Sequence, residues 1–308
     1  MAISAQDVKT LREMTNVGMM DCKKALVATD GDMDKAVEWL REKGLAAAAK
    51  KSGRIAAEGA VLAIVKDGVG AIVEVNAETD FASNSDKFKE FISDVADVIA
   101  TQAPADMDAL MACKYPGTDR TVEETIPEKV LVIGENIKIR RFARFDTGVN
   151  VAYVHMGGRI GVLVNMEVEG IDPAAVVELG KDVAMQAAAM NPRFFDKSEV
   201  SQDVLDEEKK IQLTLMANDP KMAGKPEKVL ENIVIGKMNK FYEENCLMQQ
   251  AFVKENKISV EQHVAAVAKE LGGKVKVCKF VRFEKGEGIE KKVDDFAAEV
   301  AAAAGLTK

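Results

Sequence analysis

The stretch EGAVLAIVKDGVGAIVEVN, Glu58 to Asn76, decides the fold. Two apolar runs flank Lys66-Asp67-Gly68, the composition of a β-hairpin. Further along, NVAYVHMGGRIGVLVNMEVEG, from Asn150, aligns on it without gaps: Gly70 falls on Gly161, Ile72 on Leu163 and Val73 on Val164. Each copy then runs into a helical pattern, with Asp94-Val95-Ala96 before Pro104 and Asp182-Val183-Ala184 before Pro192. The first of these helices is expected from Asp86 to about Thr101, on Phe88, Phe91, Ile92, Val95 and Val98 or Ile99. A repeated hairpin-plus-helix unit points to two related α+β subdomains, each an antiparallel sheet covered on one face by helices.

Elements of other kinds surround this repeat. In residues 1–54, Ser4 can cap a helix through Val8, Leu11 and Met14. Thr15-Asn16-Val17-Gly18 breaks it, and a second helix carries Met20, Ala25 and Leu26. Thr29-Asp30-Gly31-Asp32 then turns the chain into a third, with Ala36, Val37, Trp39 and Leu40. Three short helices with a GM pair after the first and a WL pair in the third resemble the ubiquitin-associated (UBA) fold, and KKSGR reads as a linker. Val204, Ile211 and Leu215 mark one later apolar stripe; Val229, Ile233, Met238 and Phe241 mark another. The turn ANDPKMAGKP separates them. An inserted, coiled-coil-like helical hairpin is expected at about 198–240. KVKVCKFVRFEKGEG gives a last strand and DDFAAEVAAAAG a terminal helix. The fold class is therefore α+β: a UBA-like module and linker (1–54), a first core subdomain (55–148), a second (149–286) carrying the hairpin, and a C-terminal helical module (287–308).

Composition narrows the function. The 308 residues are 47% hydrophobic and 30% charged, enough to bury a core under a wet surface. The formal net charge of -8 speaks against nucleic-acid binding, for which a basic stripe is needed; the one small cluster is Lys50-Lys51 with Arg54. MAISAQDVKTL lacks the basic and apolar regions of a signal peptide, and no apolar run is long enough for a bilayer, so a cytoplasmic chain is expected. Cys22, Cys113, Cys246 and Cys278 lie far apart, and His155 and His263 are the only histidines, so neither a metal site nor another cofactor is expected. No phosphate-loop pattern, GxGxxG after a strand or nucleophile elbow occurs. Catalysis has no obvious home.

One segment does not fit a plain scaffold. In EVNAETDFASNSDKF, Glu74 to Phe88, the strand gives way to a polar knot with one aromatic, Phe81, directly after Asp80. A large apolar side chain is ordinarily core; among Glu78, Thr79, Asp80, Ser83 and Asn84 this one is expected outside. Met19 and Met20 pose a related question, since adjacent helical residues point about 100° apart and should not be equally buried.

LREMTNVGMMDCKKAL (Leu11 to Leu26) and EVNAETDFASN (Glu74 to Asn84) resemble two signature segments of the bacterial translation elongation factor Ts family. The resemblance continues in order through VIGENIKIRR, GRIGVLV, GKPEKVLENIVIGKMNKFYEE and EGIEKKVDDFAAEV, covering nearly the whole chain. Departures are TNVG for the family's TGAG, which puts Asn16 where glycine stands, Ala82 for valine, and Ala251 for proline. The resemblance implies an exchange factor rather than an enzyme: a protein that binds elongation factor Tu and promotes GDP release, with no nucleotide site of its own. It implies that Phe81 wedges into the partner's GTPase domain near its magnesium site, with Thr79 and Asp80 in the same loop and Asp80 helping to hold it. Ile133-Gly134 would meet the partner near its phosphate loop, and His155 would lie near the contact region. Arg12, Met19, Met20 and, in the terminal helix, Phe296 would dock on the GTPase domain. Self-association through the helical hairpin is left open. An adaptor binding through residues 1–54 is the alternative reading.

Overall fold

The computed structural model describes residues 3–222 and 225–290. Three helices come first: α1 (Ala5–Thr15), α2 (Met19–Ala28) and α3 (Met33–Lys51). The first sheet follows with β1 (Glu58–Lys66) and β2 (Val69–Ala77), then a one-turn helix α4 (Asp80–Ser83) and the long α5 (Asp86–Gln102). After α6 (Met107–Ala112) and α7 (Val122–Ile133), β3 (Lys138–Phe145) completes that sheet. The second begins with β4 (Val149–His155) and β5 (Ile160–Glu169), followed by α8 (Val177–Met190). The helices α9 (Gln202–Ala217) and α10 (Glu227–Asn245) come next, then the short β6 (Ala251–Phe252) and β7 (Glu255–Ser259), α11 (Val260–Glu270) and β8 (Lys274–Glu284). Both large sheets are antiparallel, ordered β1-β2-β3 and β4-β5-β8.

The two sheets lie face to face with helices outside, and strand alternation explains why. In β2, Ala71, Val73 and Val75 join Phe88, Phe91, Val95 and Ile99 of α5, while Ile72 points the other way, into a cluster with Val61, Leu163 and Phe283. In β5, Val162, Val164 and Met166 meet Leu179, Val183 and Ala187 of α8 and Val264 of α11. The pairing of sequence copies is thus a pairing of environments. Ile72 and Leu163 share the inter-sheet cluster, and Val73 and Val164 each face their own helices. The aligned glycines carry the close approach. A Cβ on Gly161 would stand 2.5 Å from Val61 Cγ1, and one on Gly70 would stand 2.7 Å from Leu163 Cδ1.

Each end of this double layer is clamped by polar atoms. At one end Asn150 Nδ2 donates to the Gly68 carbonyl (2.8 Å), in a two-residue turn where Asp67 and Gly68 both have positive φ. At the other, Glu74 of β2 is fully buried between the sheets. Its carboxylate accepts from Arg140 Nη1 (3.0 Å), Arg141 Nε (2.6 Å), Asn76 Nδ2 (3.0 Å) and the Gly286 N–H (2.8 Å) just beyond β8. Burial is the largest influence and works against its charge. The Gly286 N–H, Asn76, Arg141 and Arg140 together outweigh it and hold the carboxyl below the ordinary carboxylate range.

Several elements differ from the sequence reading. Lys50 and Lys51 belong to the last turn of α3 and not to a linker, because Leu45 to Ala49 are strong helix formers that carry the helix on. Gly44 lets that helix lie against α7: a Cβ there would stand 3.0 Å from the Pro127 carbonyl oxygen. The core of the three-helix module is closed by Leu131 and Val132 of α7, so the module is packed onto the body. In the hairpin, Phe241 is buried with Val200 and Cys246 at the base, but Ile211, Leu215 and Val229 of the expected stripes are exposed. The strand β3 and helices α6, α7 and α11 are additions. The expected terminal helix, with Phe296, lies outside the described residues. No helix among those described is long and apolar enough to cross a membrane.

Two outcomes follow from this packing. Gly161→Ala forces a methyl against Val61 and should cost about 1–3 kcal/mol in urea denaturation, with part recovered in the Gly161→Ala/Val61→Ala double variant. Glu74 has a lower pKa folded than unfolded. Its contribution is complete above the unfolded value of roughly 4.3 and fades as pH falls through the folded one. Glu74→Gln should therefore lose about 2–3 kcal/mol near neutrality and show a shallower loss of stability between neutral and acidic pH than the wild type.

Candidate functional site

The end of the double sheet that holds Glu74 also gathers the loops singled out in the sequence. There β2 runs out into α4, whose four residues are held by side chains from every neighbouring position. Thr79 caps the turn by accepting from the Ala82 N–H (3.2 Å). The Ser83 hydroxyl and the Asn84 amide both donate to the Asp80 carbonyl at 2.9 Å. Ser85 donates to the Ala82 carbonyl (2.7 Å) and caps α5 through the Phe88 N–H. The polar knot is the set of partners that a single isolated turn needs, since one turn alone is unstable.

The orientation of Phe81 follows from its neighbour. Ala82 is buried in the core under β2, and a helical step of about 100° then carries the preceding side chain outward. Phe81 is 87% exposed, against 0% for Phe88 and Phe91 of the next helix. Asp80 is exposed as well. Its carbonyl secures the turn, and its carboxylate makes no hydrogen bond or ion pair with a described residue. A hydrophobic ring is thus displayed on a stiff support.

A second loop packs beside it. Gly134 ends α7 in the left-handed conformation (φ 88°), which only glycine adopts without strain, and a Cβ there would meet nothing within 4 Å. The backbone at Ile133-Gly134 is therefore bare on its outer side. The next residue, Glu135, accepts from both the N–H (2.9 Å) and the hydroxyl (2.6 Å) of Thr79. Reciprocally, Glu78 accepts from the Asn136 N–H (2.7 Å) and pairs with Arg54 (3.3 Å). Lys51 donates to the Gly134 carbonyl, tying the end of α3 to the same place.

The N-terminal module contributes a third edge. Asn16 caps α1 with φ 54°, the conformation a glycine would adopt there, and its carbonyl accepts from Lys87 Nζ at the start of α5 (2.8 Å). Met19 and Met20 sit just beyond, 58% and 64% exposed, and Arg12 is exposed. The expectation of unequal methionines is corrected. Both occupy the first two positions of α2, ahead of the buried stripe of Cys22, Ala25 and Leu26, so both overhang the neighbouring helices.

His155 closes β4 at the same end of the sheets. It is half-buried, its Nδ1 2.9 Å from the Tyr153 hydroxyl and its ring stacked on that tyrosine. The β4–β5 turn leans on β1, where a Cβ on Gly158 would stand 3.0 Å from Ala60 Cβ. Glu135 and Lys87 are not picked out from the sequence, Lys51 reads there only as part of a basic linker cluster, and Glu78 only as a polar neighbour of Phe81. Their partners lie up to 83 residues away, and nothing local signals them.

The arrangement displays an aromatic, two methionines and a bare backbone segment around one edge, and no group of three or more metal-ligating side chains occurs among the described residues. Such a surface suits docking on another macromolecule. Comparison with known sequences identifies the family. The family described as Elongation factor TS matches residues 78–287. An elongation factor Ts of Syntrophotalea carbinolica is 47% identical over 303 residues, covering 98% of this chain and 99% of that protein. One from Trichlorobacter lovleyi is 46% identical over 99% of this chain and 100% of that protein. One from Clostridium kluyveri is 49% identical over 97% of each. With its signature segments folded into one contiguous edge and relatives this similar along nearly its whole length, the chain belongs to the elongation factor Ts family.

Proposed function

We propose that the chain is a guanine-nucleotide exchange factor that binds elongation factor Tu in the cytoplasm and speeds release of its GDP. The observation that carries the reading is Phe81: a ring 87% exposed at the tip of a turn held by the Thr79, Ser83 and Asn84 side chains. Exposing a phenylalanine this way forgoes about 2 kcal/mol of burial, which is recovered only if a partner supplies a pocket. An aromatic anchor entering a fitted pocket contributes ~2 kcal/mol or more. Because the turn is already ordered, little of that is lost in fixing it.

In this reading the ring enters the GTPase domain beside the bound nucleotide. A phosphate-bound magnesium ion depends on a few well-placed oxygens, so displacing one supporting element loosens it. Ile133-Gly134 approaches the phosphate-binding backbone, and Arg12, Met19 and Met20 dock the module on the same domain. The coupling is reciprocal. If the chain weakens the hold on GDP by some factor, GDP weakens the hold on the chain equally. No nucleotide pocket of its own is needed, and nucleotide levels set the direction of exchange.

Stopped-flow release of a fluorescent GDP analogue from bacterial elongation factor Tu tests this. The wild type should accelerate release strongly. In Phe81→Ala the limiting rate should fall about thirtyfold, the equivalent of ~2 kcal/mol. Met19→Ser/Met20→Ser should instead raise the concentration needed for half-maximal effect and spare the limiting rate. A folded wild-type chain that leaves GDP release unchanged would sink the reading.

A further inference from the structure

We propose that Glu135 is a positioning residue for the exchange reaction: it fixes the Phe81 turn against the body and joins it to the Ile133-Gly134 segment as one unit. The inference rests on the exchange reading above and adds the part that makes the wedge stiff.

The turn has two sets of restraints, and they do different things. The Thr79–Ala82, Ser83–Asp80, Asn84–Asp80 and Ser85–Ala82 bonds run within residues 79–85, so they set the shape of the turn and not its position. Position comes from Ala82 seated in the core on one side and from Glu135 on the other. The Glu135 carboxylate takes two hydrogen bonds from a single residue, and that residue is the cap of α4. The Thr79 hydroxyl donates to Glu135 and accepts from Ala82, so its orientation is fixed at both lone pair and proton. Charged acceptors make the stronger hydrogen bonds, and two from one residue fix Thr79 at both its N–H and its hydroxyl although the pair lies at the exposed edge.

Glu135 has no ion-pair partner among the described residues, so Thr79 is what its charge is spent on. The Asn136 N–H returns the connection to Glu78, so two strands of chain exchange a carboxylate each way. A push on Ile133-Gly134 therefore moves Thr79 and with it the ring. A reaction force on the ring is carried back into α7 instead of bending the turn aside. Losing this support should leave docking intact and blunt the wedge.

The experiment uses the full chain in wild-type, Glu135→Ala, Glu135→Gln and Thr79→Val forms, each also combined with Phe81→Ala. Release of the fluorescent GDP analogue is titrated to separate limiting rate from half-saturating concentration, and amide hydrogen exchange of residues 79–84 is followed in the free chain. Glu135→Ala should lower the limiting rate about tenfold, since small misplacements of a working group cost that much or more, with half-saturation within about twofold. Glu135→Gln, which keeps one acceptor oxygen, and Thr79→Val, which keeps the N–H, should each fall between. The amides of the turn should exchange faster in Glu135→Ala. In the Phe81→Ala background Glu135→Ala should cost nothing further, because the two act through one ring. A wild-type limiting rate in Glu135→Ala, or a loss additive with Phe81→Ala, overturns the proposal while the exchange reading stands. Unchanged amide exchange overturns it whatever the rates. A wild-type chain that never accelerates release removes the exchange reading itself.

Discussion

Everything in this molecule is arranged around the close approach of two antiparallel sheets. Gly70 and Gly161 let a valine and a leucine of the opposite sheet enter where a Cβ would stand, so the inter-sheet layer is thin and apolar. A layer that thin leaves each sheet with only its outer face to receive helices, and α5 on one side and α8 with α11 on the other take those places. Interiors are packed at crystal-like density, so the relative position of the sheets is set closely. The loops at their ends inherit that precision.

The buried Glu74 shows how the scheme accommodates charge. A carboxylate with no exposure is costly unless fully satisfied, and here two arginines, an asparagine and a backbone N–H meet it. The backbone N–H is that of Gly286, which belongs to the chain leaving the second sheet. Beside it, Arg140 and Arg141 reach Glu287, by its carbonyl and its carboxylate respectively. The same cluster thus seals the inter-sheet layer and moors the segment that leads toward the C-terminus. The two roles suit one residue because both need a single strong acceptor at the edge of the layer.

At that edge the fold reverses the usual rule for apolar side chains. Phe81 is outside because Ala82 is inside, and Ala82 is inside because β2 delivers the chain onto α5. The cost of display is spread over a web of polar partners: Thr79 with Glu135, Glu78 with Asn136 and Arg54, Lys51 with Gly134, and Lys87 with Asn16. Each has a charged member, and such bonds contribute about 1.5–3 kcal/mol net, less where water screens them. Together they make three separate stretches of chain into one surface.

The sequence by itself determined the repeat, the periodicity of its strands and helices, and the odd ring in a polar knot. Those are local signals: Gly70 and Gly161 align, Val95 and Val183 follow at helical spacing, and Phe81 stands among groups that cannot bury it. It did not disclose β3, where Arg140 and Arg141 interrupt the apolar alternation because they serve Glu74 on the neighbouring strand. Nor did it disclose α11, although Ser259 and Gln262 form a capping box at its start. That Met19 and Met20 are both exposed, that α7 closes the core of the N-terminal module, and that Glu135 holds Thr79 were decided only by the tertiary structure. Each depends on groups distant along the chain, and a carboxylate's partner 56 residues away leaves no periodicity, composition or spacing to read.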